Sequence, residues 1–255
     1  MNETKRLIET YIPTQDLLQD RVVLVTGASS GIGRSVAKAY ATYGATVILL
    51  ARSVQKLENL YDEIQEAGYP TPVILPFNLE NATPNDYQEM AQNIETQFGR
   101  LDGLLHNAAT LGSLTPIELY PIQQWYQVLQ VNLHSAFLLT QALLPLLKAA
   151  PESSLLFTHA NEGLQGKAYW GAYGVSKFGI QGLMQILAEE LEVNTPIRVN
   201  SINPGQVRTP LRNNAYPAEK ADTLVKPEMI LALYLYLMGP DCDKISGQNF
   251  ECIAT

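Results

Sequence analysis

One turn limits the folds open to this chain. Thr26-Gly27-Ala28-Ser29-Ser30-Gly31-Ile32-Gly33 stands between a β-branched run, Val22 to Val25, and a stretch from Ile32 to Tyr43 whose apolar residues recur at helical spacing until Gly44. Strand, glycine turn and helix in that order open a βαβ unit. Glycines there let the backbone bend sharply and approach a pyrophosphate. The N–H groups of the helix N-terminus then offer donors and a positive dipole end to the anion. A glycine pattern alone is a weak signal, and its placement between strand and helix is what makes it a candidate nucleotide site. Read without a ligand, it is a tight βα connection.

The alternation continues along the chain. Further strands are expected at 46–50, 73–77, 103–105, 154–157, 198–202 and 249–252, and helices at 54–67, 84–98, 125–148, 173–191 and 227–238. Short apolar strands alternating with helices imply a parallel sheet buried on both faces, because parallel strands need crossover connections that cover it. Composition agrees, since 255 residues with 46% hydrophobic and 16% charged content describe a folded chain. No proline- or serine-rich linker and no repeat divides it. The expectation is an α/β protein, one doubly wound domain over 21–255 preceded by a 1–20 extension that either flanks the fold or packs across a subunit boundary. The substrate pocket must come from loops at the strand ends.

Several classes are excluded. The 17 Lys and Arg against 25 Asp and Glu give a net charge of −8, which opposes a broad phosphate-binding surface, so no nucleic acid is expected as partner. Cys242 and Cys252 have no histidine nearby at ligand spacing, and neither a metal site nor a disulfide framework follows. Residues 1–21 lack the uninterrupted apolar core of a signal peptide. The apolar stretches at 136–147 and 229–238 are shorter than the roughly 18 residues of a membrane span. A cytoplasmic protein with no membrane partner is expected.

The Gly-x-x-x-Gly-x-Gly spacing of Gly27, Gly31 and Gly33 resembles the signature of the classical bacterial short-chain dehydrogenase/reductase family. His106-Asn107-Ala108-Ala109 looks like that family's Asn-Asn-Ala-Gly motif, Tyr173-Gly174-Val175-Ser176-Lys177 matches its Tyr-x-x-x-Lys signature, and Asn203-Pro204-Gly205 with Thr209 matches its later Pro-Gly turn. The resemblance implies a Rossmann-fold domain with a mainly parallel seven-stranded sheet, a nicotinamide cofactor and a small carbonyl or alcohol substrate. It also implies a homodimer or homotetramer and a mobile substrate flap at about 206–226. Cofactor contacts are implied at Gly27, Ser29, Ser30, Gly31, Ile32, Gly33, Asn107, Ala108, Tyr173, Lys177, Pro204, Gly205 and Thr209.

Such folds, when they prefer NAD, place an acid about 20 positions past the glycine turn to accept from the ribose 2′-hydroxyl. Position 51 is Ala51, followed by Arg52 and Ser53. A guanidinium thus stands ready for a 2′-phosphate, with Arg34 adding charge, and NADP(H) is expected with NAD(H) as the alternative. The plain structural reading is that Arg52 only ends a strand in solvent. Asn78-Leu79 stands where the resemblance suggests an Asp-Leu or Asp-Val pair contacting adenine, and the asparagine retains a carbonyl acceptor. Asn107 equally fits a residue tying two strands together.

Tyr173 and Lys177 are four residues apart on an expected helix, so their side chains share a face. The resemblance implies that Tyr173 exchanges a proton with the substrate oxygen while hydride passes between nicotinamide and carbon. A phenol titrates near about 10, and a nearby ammonium favours the phenolate, a role that fits Lys177. The resemblance assigns Asn132 to a water-mediated proton relay; its plain reading is a helix-interior asparagine bonded to backbone. The departure lies upstream. The family places a carbonyl-polarising serine thirteen residues before the tyrosine, and here that position is Ala160. Losing such a donor costs about 10²- to 10³-fold in rate. Either Asn161 or His159 replaces it, or the site works slowly on an activated carbonyl, or the protein binds nucleotide without turnover as a sensor or partner-binding module. Asn161 is the better substitute because an amide donates in any protonation state, but it needs a bend after Ala160. Arg208 and Arg212 in the flap either meet a substrate carboxylate or are solvated loop charges, and Leu111 to Leu119 with Tyr169-Trp170 are candidate apolar walls.

Overall fold

The structure, a computed structural model, describes residues 11–242 and 244–252. Seven strands, β1 (Val22–Thr26), β2 (Thr46–Ala51), β3 (Val73–Pro76), β4 (Gly103–His106), β5 (Ser153–Thr158), β6 (Ile197–Asn203) and β7 (Asn249–Glu251), form one sheet in the order β3-β2-β1-β4-β5-β6-β7. Every pairing is parallel. The chain winds outward from β1 to β3, then returns to β4 and winds outward the other way. Between β1 and β4 the direction reverses, and there a doubly wound sheet opens a crevice at its C-terminal edge.

The helices are α1 (Gly31–Thr42), α2 (Val54–Glu66), α3 (Pro84–Phe98), α4 (Ile122–Leu129), α5 (Ser135–Ala149), α6 (Gly171–Glu192), α7 (Pro210–Ala215) and α8 (Leu231–Met238). Successive residues of β1 go to opposite cores. Val23 and Val25 join Val36 and Tyr40 of α1, Leu57 and Leu60 of α2 and Leu233 of α8, whereas Val22 and Leu24 join Met90 of α3, Leu139 of α5 and Met184 of α6. Both faces are covered by helices, which is why β1 and β2 are nearly unbroken apolar runs rather than alternating ones.

The helix expected over 125–148 is broken. α4 ends at Leu129, a π-helical turn occupies Gln130–His134, and α5 begins at Ser135. The widened turn coincides with Asn132, whose Oδ1 accepts from Thr110 N–H at 2.8 Å and whose Nδ2 donates to Thr110 O at 3.0 Å. Ser135 Oγ also donates to Val131 O at 2.7 Å. Side-chain bonds of this kind compete with a regular helical ladder, and a partner 22 residues back in sequence leaves no periodic signal. The helix expected at 227–238 likewise opens with a 3-10 turn, Pro227–Ile230, before α8.

Residues 11–20 pack on their own domain. Leu17 and Leu18 are buried in the core shared by α1 and α8, Leu18 N–H donates to Tyr43 O at 2.8 Å, and Tyr11 Oη donates to Asp241 Oδ2 at 2.8 Å. Residues 1–10 of the expected extension lie outside the described residues.

Candidate active site

A cavity of about 730 Å³ lies at the crevice, across the C-terminal ends of the strands. Of the residues expected to contact the cofactor, Gly27, Ser29, Ser30, Gly31, Ile32, Arg52, Asn78, Leu79, Asn107, Ala108, Tyr173, Lys177, Pro204, Gly205 and Thr209 all line it. Gly33 stands behind the lining with a packing task. A Cβ there would overlap Gly27 O and Asn107 Nδ2, so only glycine lets α1 sit this close to the strand ends. Gly27 turns the chain at φ +69. Ser30, the N-cap of α1, makes no side-chain capping bond, so the first N–H groups of the helix remain available to an anion in the cleft.

Thr26 and Asn107 close the gap between β1 and β4. Thr26 Oγ1 accepts from the N–H groups of Asn107 at 2.9 Å and Ala108 at 3.0 Å, while Asn107 Nδ2 donates to Thr26 O at 3.3 Å. Asn107 therefore ties two strands and borders the cleft at once.

The cations at the glycine-turn end differ from expectation in one respect. Arg34 does not line the cleft: its guanidinium pairs with Glu63 of α2, which also holds Lys38 Nζ at 3.2 Å. The sequence places Arg34 beside the glycines, but tertiary packing turns it to the neighbouring helix. Arg52 lines the cleft, with Nη1 3.6 Å from Glu80 Oε2. Asn78 Oδ1, expected as an adenine acceptor, already accepts from Glu80 N–H at 3.2 Å within its own turn.

Tyr173 and Lys177 lie one turn apart on α6, only 6% and 4% exposed. Lys177 Nζ donates to Thr158 O at 2.8 Å and sits 5.6 Å from the centre of the Tyr173 ring. Burial pulls the Lys177 ammonium down to about 8, with the Glu162 carboxylate acting in the other direction. Burial, reinforced by Glu162, pushes the Tyr173 phenol well above its usual value, and Arg212 opposes the shift. The Lys177 ammonium is tied to a strand carbonyl, and burial acts against the charged form of both groups.

Asn132 does not line the cleft, and both ends of its amide are engaged, since Nδ2 also donates to Ser176 Oγ at 3.0 Å. It borders a second cavity of about 10 Å³ together with Thr26, Thr158 and Lys177. That is room for about one water.

On the substrate side, Ala160 ends the extended run at φ −155 and a 3-10 turn over Asn161–Gly163 follows, which is the bend Asn161 requires. Asn161 lines the cleft; its Oδ1 accepts from Asn203 Nδ2 at 2.5 Å, and Asn203 Oδ1 accepts from Gly205 N–H at 3.1 Å. The His159 ring is buried and bonded to Asn249, and burial holds it down to about 4, so it is neutral. Leu111, Trp170, Leu211 and Tyr216 supply apolar wall, whereas Tyr169 and Leu119 are exposed. Arg212 forms a two-point pair with Glu219 at 2.7 Å, and Arg208 lies 3.8 Å from Asp222, so the flap arginines are paired within the flap. Three charged residues of the lining, Glu80, Glu162 and Lys167, were not foreseen. Lys167 Nζ donates to Tyr216 Oη at 2.8 Å and lies 4.0 Å from Glu162, a contact set spanning 49 residues that no sequence spacing signals.

Residues 21–220 match the short chain dehydrogenase family. This chain belongs to the short chain dehydrogenases. It is 47% identical over 241 residues to the uncharacterized oxidoreductase YciK of Escherichia coli (strain K12), covering 94% of this chain and 95% of the relative. A solved short chain dehydrogenase from Pseudomonas syringae matches with a TM-score of 0.94 at 51% identity, over 95% of this chain and 98% of that one. Another, from Shigella flexneri 2a strain 301 and complexed with NADP, gives a TM-score of 0.90 at 47% identity, over 94% and 99%. As a short chain dehydrogenase the chain is an oxidoreductase with a Rossmann fold. The glycine cradle and open helix N-terminus fit a dinucleotide of the kind such enzymes use. Among the described residues, no helix is long and apolar enough to cross a membrane, and no group of three or more His, Cys, Asp or Glu is arranged to hold a metal ion.

Proposed function

We propose that this short chain dehydrogenase is an NADP(H)-dependent oxidoreductase interconverting a small carbonyl and its alcohol. The observation that carries the reading is the buried Tyr173–Lys177 pair in the same cleft as the glycine turn. Arg52 in the lining, with no acid at Ala51, supports the phosphorylated cofactor, as do relatives from Shigella flexneri complexed with NADP and from Escherichia coli CFT073 complexed with NADPH. When bound, the nicotinamide supplies or accepts the hydride. The chain's own residues do the rest. The glycine turn and the N-terminus of α1 would hold the pyrophosphate, and Lys177 in the cleft wall would hold the sugar beside the nicotinamide. Tyr173 O–H donates to the substrate oxygen as charge develops there, and the one-water cavity bounded by Asn132 and Lys177 resupplies the proton from beneath. Asn161, its Oδ1 held by Asn203, presents its amide Nδ2 as the donor that Ala160 lacks.

Ala160 also favours a second reading, nucleotide binding with little turnover. Fluorescence titration with NADPH and NADH, then turnover on a panel of carbonyls, separates the two. Tyr173→Phe is expected to abolish turnover while retaining NADPH, and Ala160→Ser to raise kcat by up to about 10²-fold. Tight NADPH binding with no turnover, even in Ala160→Ser, establishes the second reading; preference for NADH overturns the assignment to Arg52. We further place the protein in the cytoplasm as a homodimer or homotetramer, the assembly being supported by Val175, Phe178 and Ile186, which α6 leaves exposed.

A further inference from the structure

The adenosine end of the cleft carries two opposed charges. Arg52 follows β2 and Glu80 follows β3; both line the cavity, and their nearest charged atoms are 3.6 Å apart. β2 and β3 are hydrogen-bonded neighbours in register, Leu50 beside Leu75 and Ala51 beside Pro76, so the end of β3 brings a carboxylate to the edge where position 51 lacks one. The turn that carries it is fixed. Glu80 N–H donates to Asn78 Oδ1 at 3.2 Å, and Asn78 O accepts from the N–H groups of Asn81 at 3.2 Å and Ala82 at 3.1 Å. Arg34 and Lys38, the nearest other cations in sequence on α1, are both engaged by Glu63. The two charges that line this end therefore sum to zero, whereas a site built only for a 2′-phosphate gains from a positive sum.

We infer that Glu80 is a second determinant of cofactor choice: its carboxylate competes with a 2′-phosphate for Arg52 and accepts from an unphosphorylated ribose 2′-hydroxyl. This rests on the reading that the cleft holds a nicotinamide dinucleotide. A phosphate monoester carrying about −1.5 to −2 charges draws Arg52 off Glu80 and leaves the carboxylate facing like charge. A neutral hydroxyl leaves the pair intact and gains an ionised acceptor. Glu80 thus moderates the preference that Arg52 sets, and the protein binds both cofactors with a reduced margin. Arg52 is 67% exposed and Glu80 31%, so water and salt screen the pair and each effect is a few-fold.

The test is fluorescence titration of NADPH and NADH against the wild type and Glu80→Gln, which keeps the size and hydrogen bonding of the side chain and removes its charge. Glu80→Gln is expected to tighten NADPH about two- to fivefold and to weaken NADH about two- to threefold, with both changes shrinking in 1 M salt. In an Arg52→Gln background the NADPH gain becomes smaller, because there is no cation left to release. An unchanged ratio of the two affinities, or a shift of both in one direction, overturns the role of Glu80 while leaving the dinucleotide reading intact. A wild type that binds neither cofactor removes that reading and Glu80 with it. Thermal unfolding of Glu80→Gln at the wild-type temperature confirms that an altered ratio is a charge effect.

Discussion

Ala160 and His159 sit side by side and show how differently one strand end treats its residues. At 160 a methyl lines the cleft. At 159 the ring is buried, and the cost falls on stability at low pH. Burial holds His159 down to about 4 and His106, stacked on Phe157, down to about 3, against an ordinary value of 6.5. In the unfolded chain both rings take up a proton below about 6.5, and in the fold they do not, so the unfolded state binds more protons there and stability falls as pH drops from about 6.5 toward 4. Urea unfolding is expected to give a free energy that declines as pH falls below about 6.5; a free energy flat from about pH 6.5 to 5 contradicts the burial account. Tyr173, Lys177 and the glycines were legible in the sequence because their signal is local spacing. The protonation states were not, because desolvation depends on what other segments place around a side chain.

At the scale of elements, α6 does two jobs on two faces. Its inner face carries Tyr173 and Lys177, and its outer face presents Val175, Phe178 and Ile186 to solvent, with open space above Gly182 between them. Phe137 on α5 is exposed as well. Val175, Phe178 and Ile186 fall on one stripe at helical spacing, and a row of exposed apolar residues of this kind marks a candidate interaction surface. If it joins copies of this chain, Phe178→Glu lowers the mass measured by light scattering to that of a monomer, and an unchanged mass sinks the assignment. The helix was expected from its apolar periodicity, but which apolar residues face the core and which stay exposed was not. The π-helical turn before α5 was hidden for a similar reason, since Asn132 is held by Thr110 from a loop earlier in the chain.

Across the whole molecule the sheet separates stability from function by its two edges. The C-terminal ends of the strands form the cleft. At the N-terminal ends, Glu152 pairs with Arg21 before β1 and with Arg198 Nη1 of β6 at 3.1 Å, and Arg198 Nη2 donates to Gly239 O at 2.8 Å. Arg21 Nη1 and Arg198 Nε are buried without partners. Glu152→Ala leaves two buried guanidinium groups without their shared carboxylate, and a loss of about 1–3 kcal/mol in unfolding free energy is expected by urea denaturation, with NADPH affinity unchanged. A matching loss of affinity shows instead that the two edges are coupled.

The sequence by itself determined the alternation of strands and helices, the glycine turn and the order of the motifs, because these depend on spacing along a chain whose local geometry is fixed. Tertiary structure decided the rest: that Arg34 serves Glu63 while Arg52 borders the cleft, that Glu80 stands opposite Arg52, and that burial works against ionisation of Tyr173. Each depends on which distant residue comes to lie within a few ångströms, and on how much water is left there.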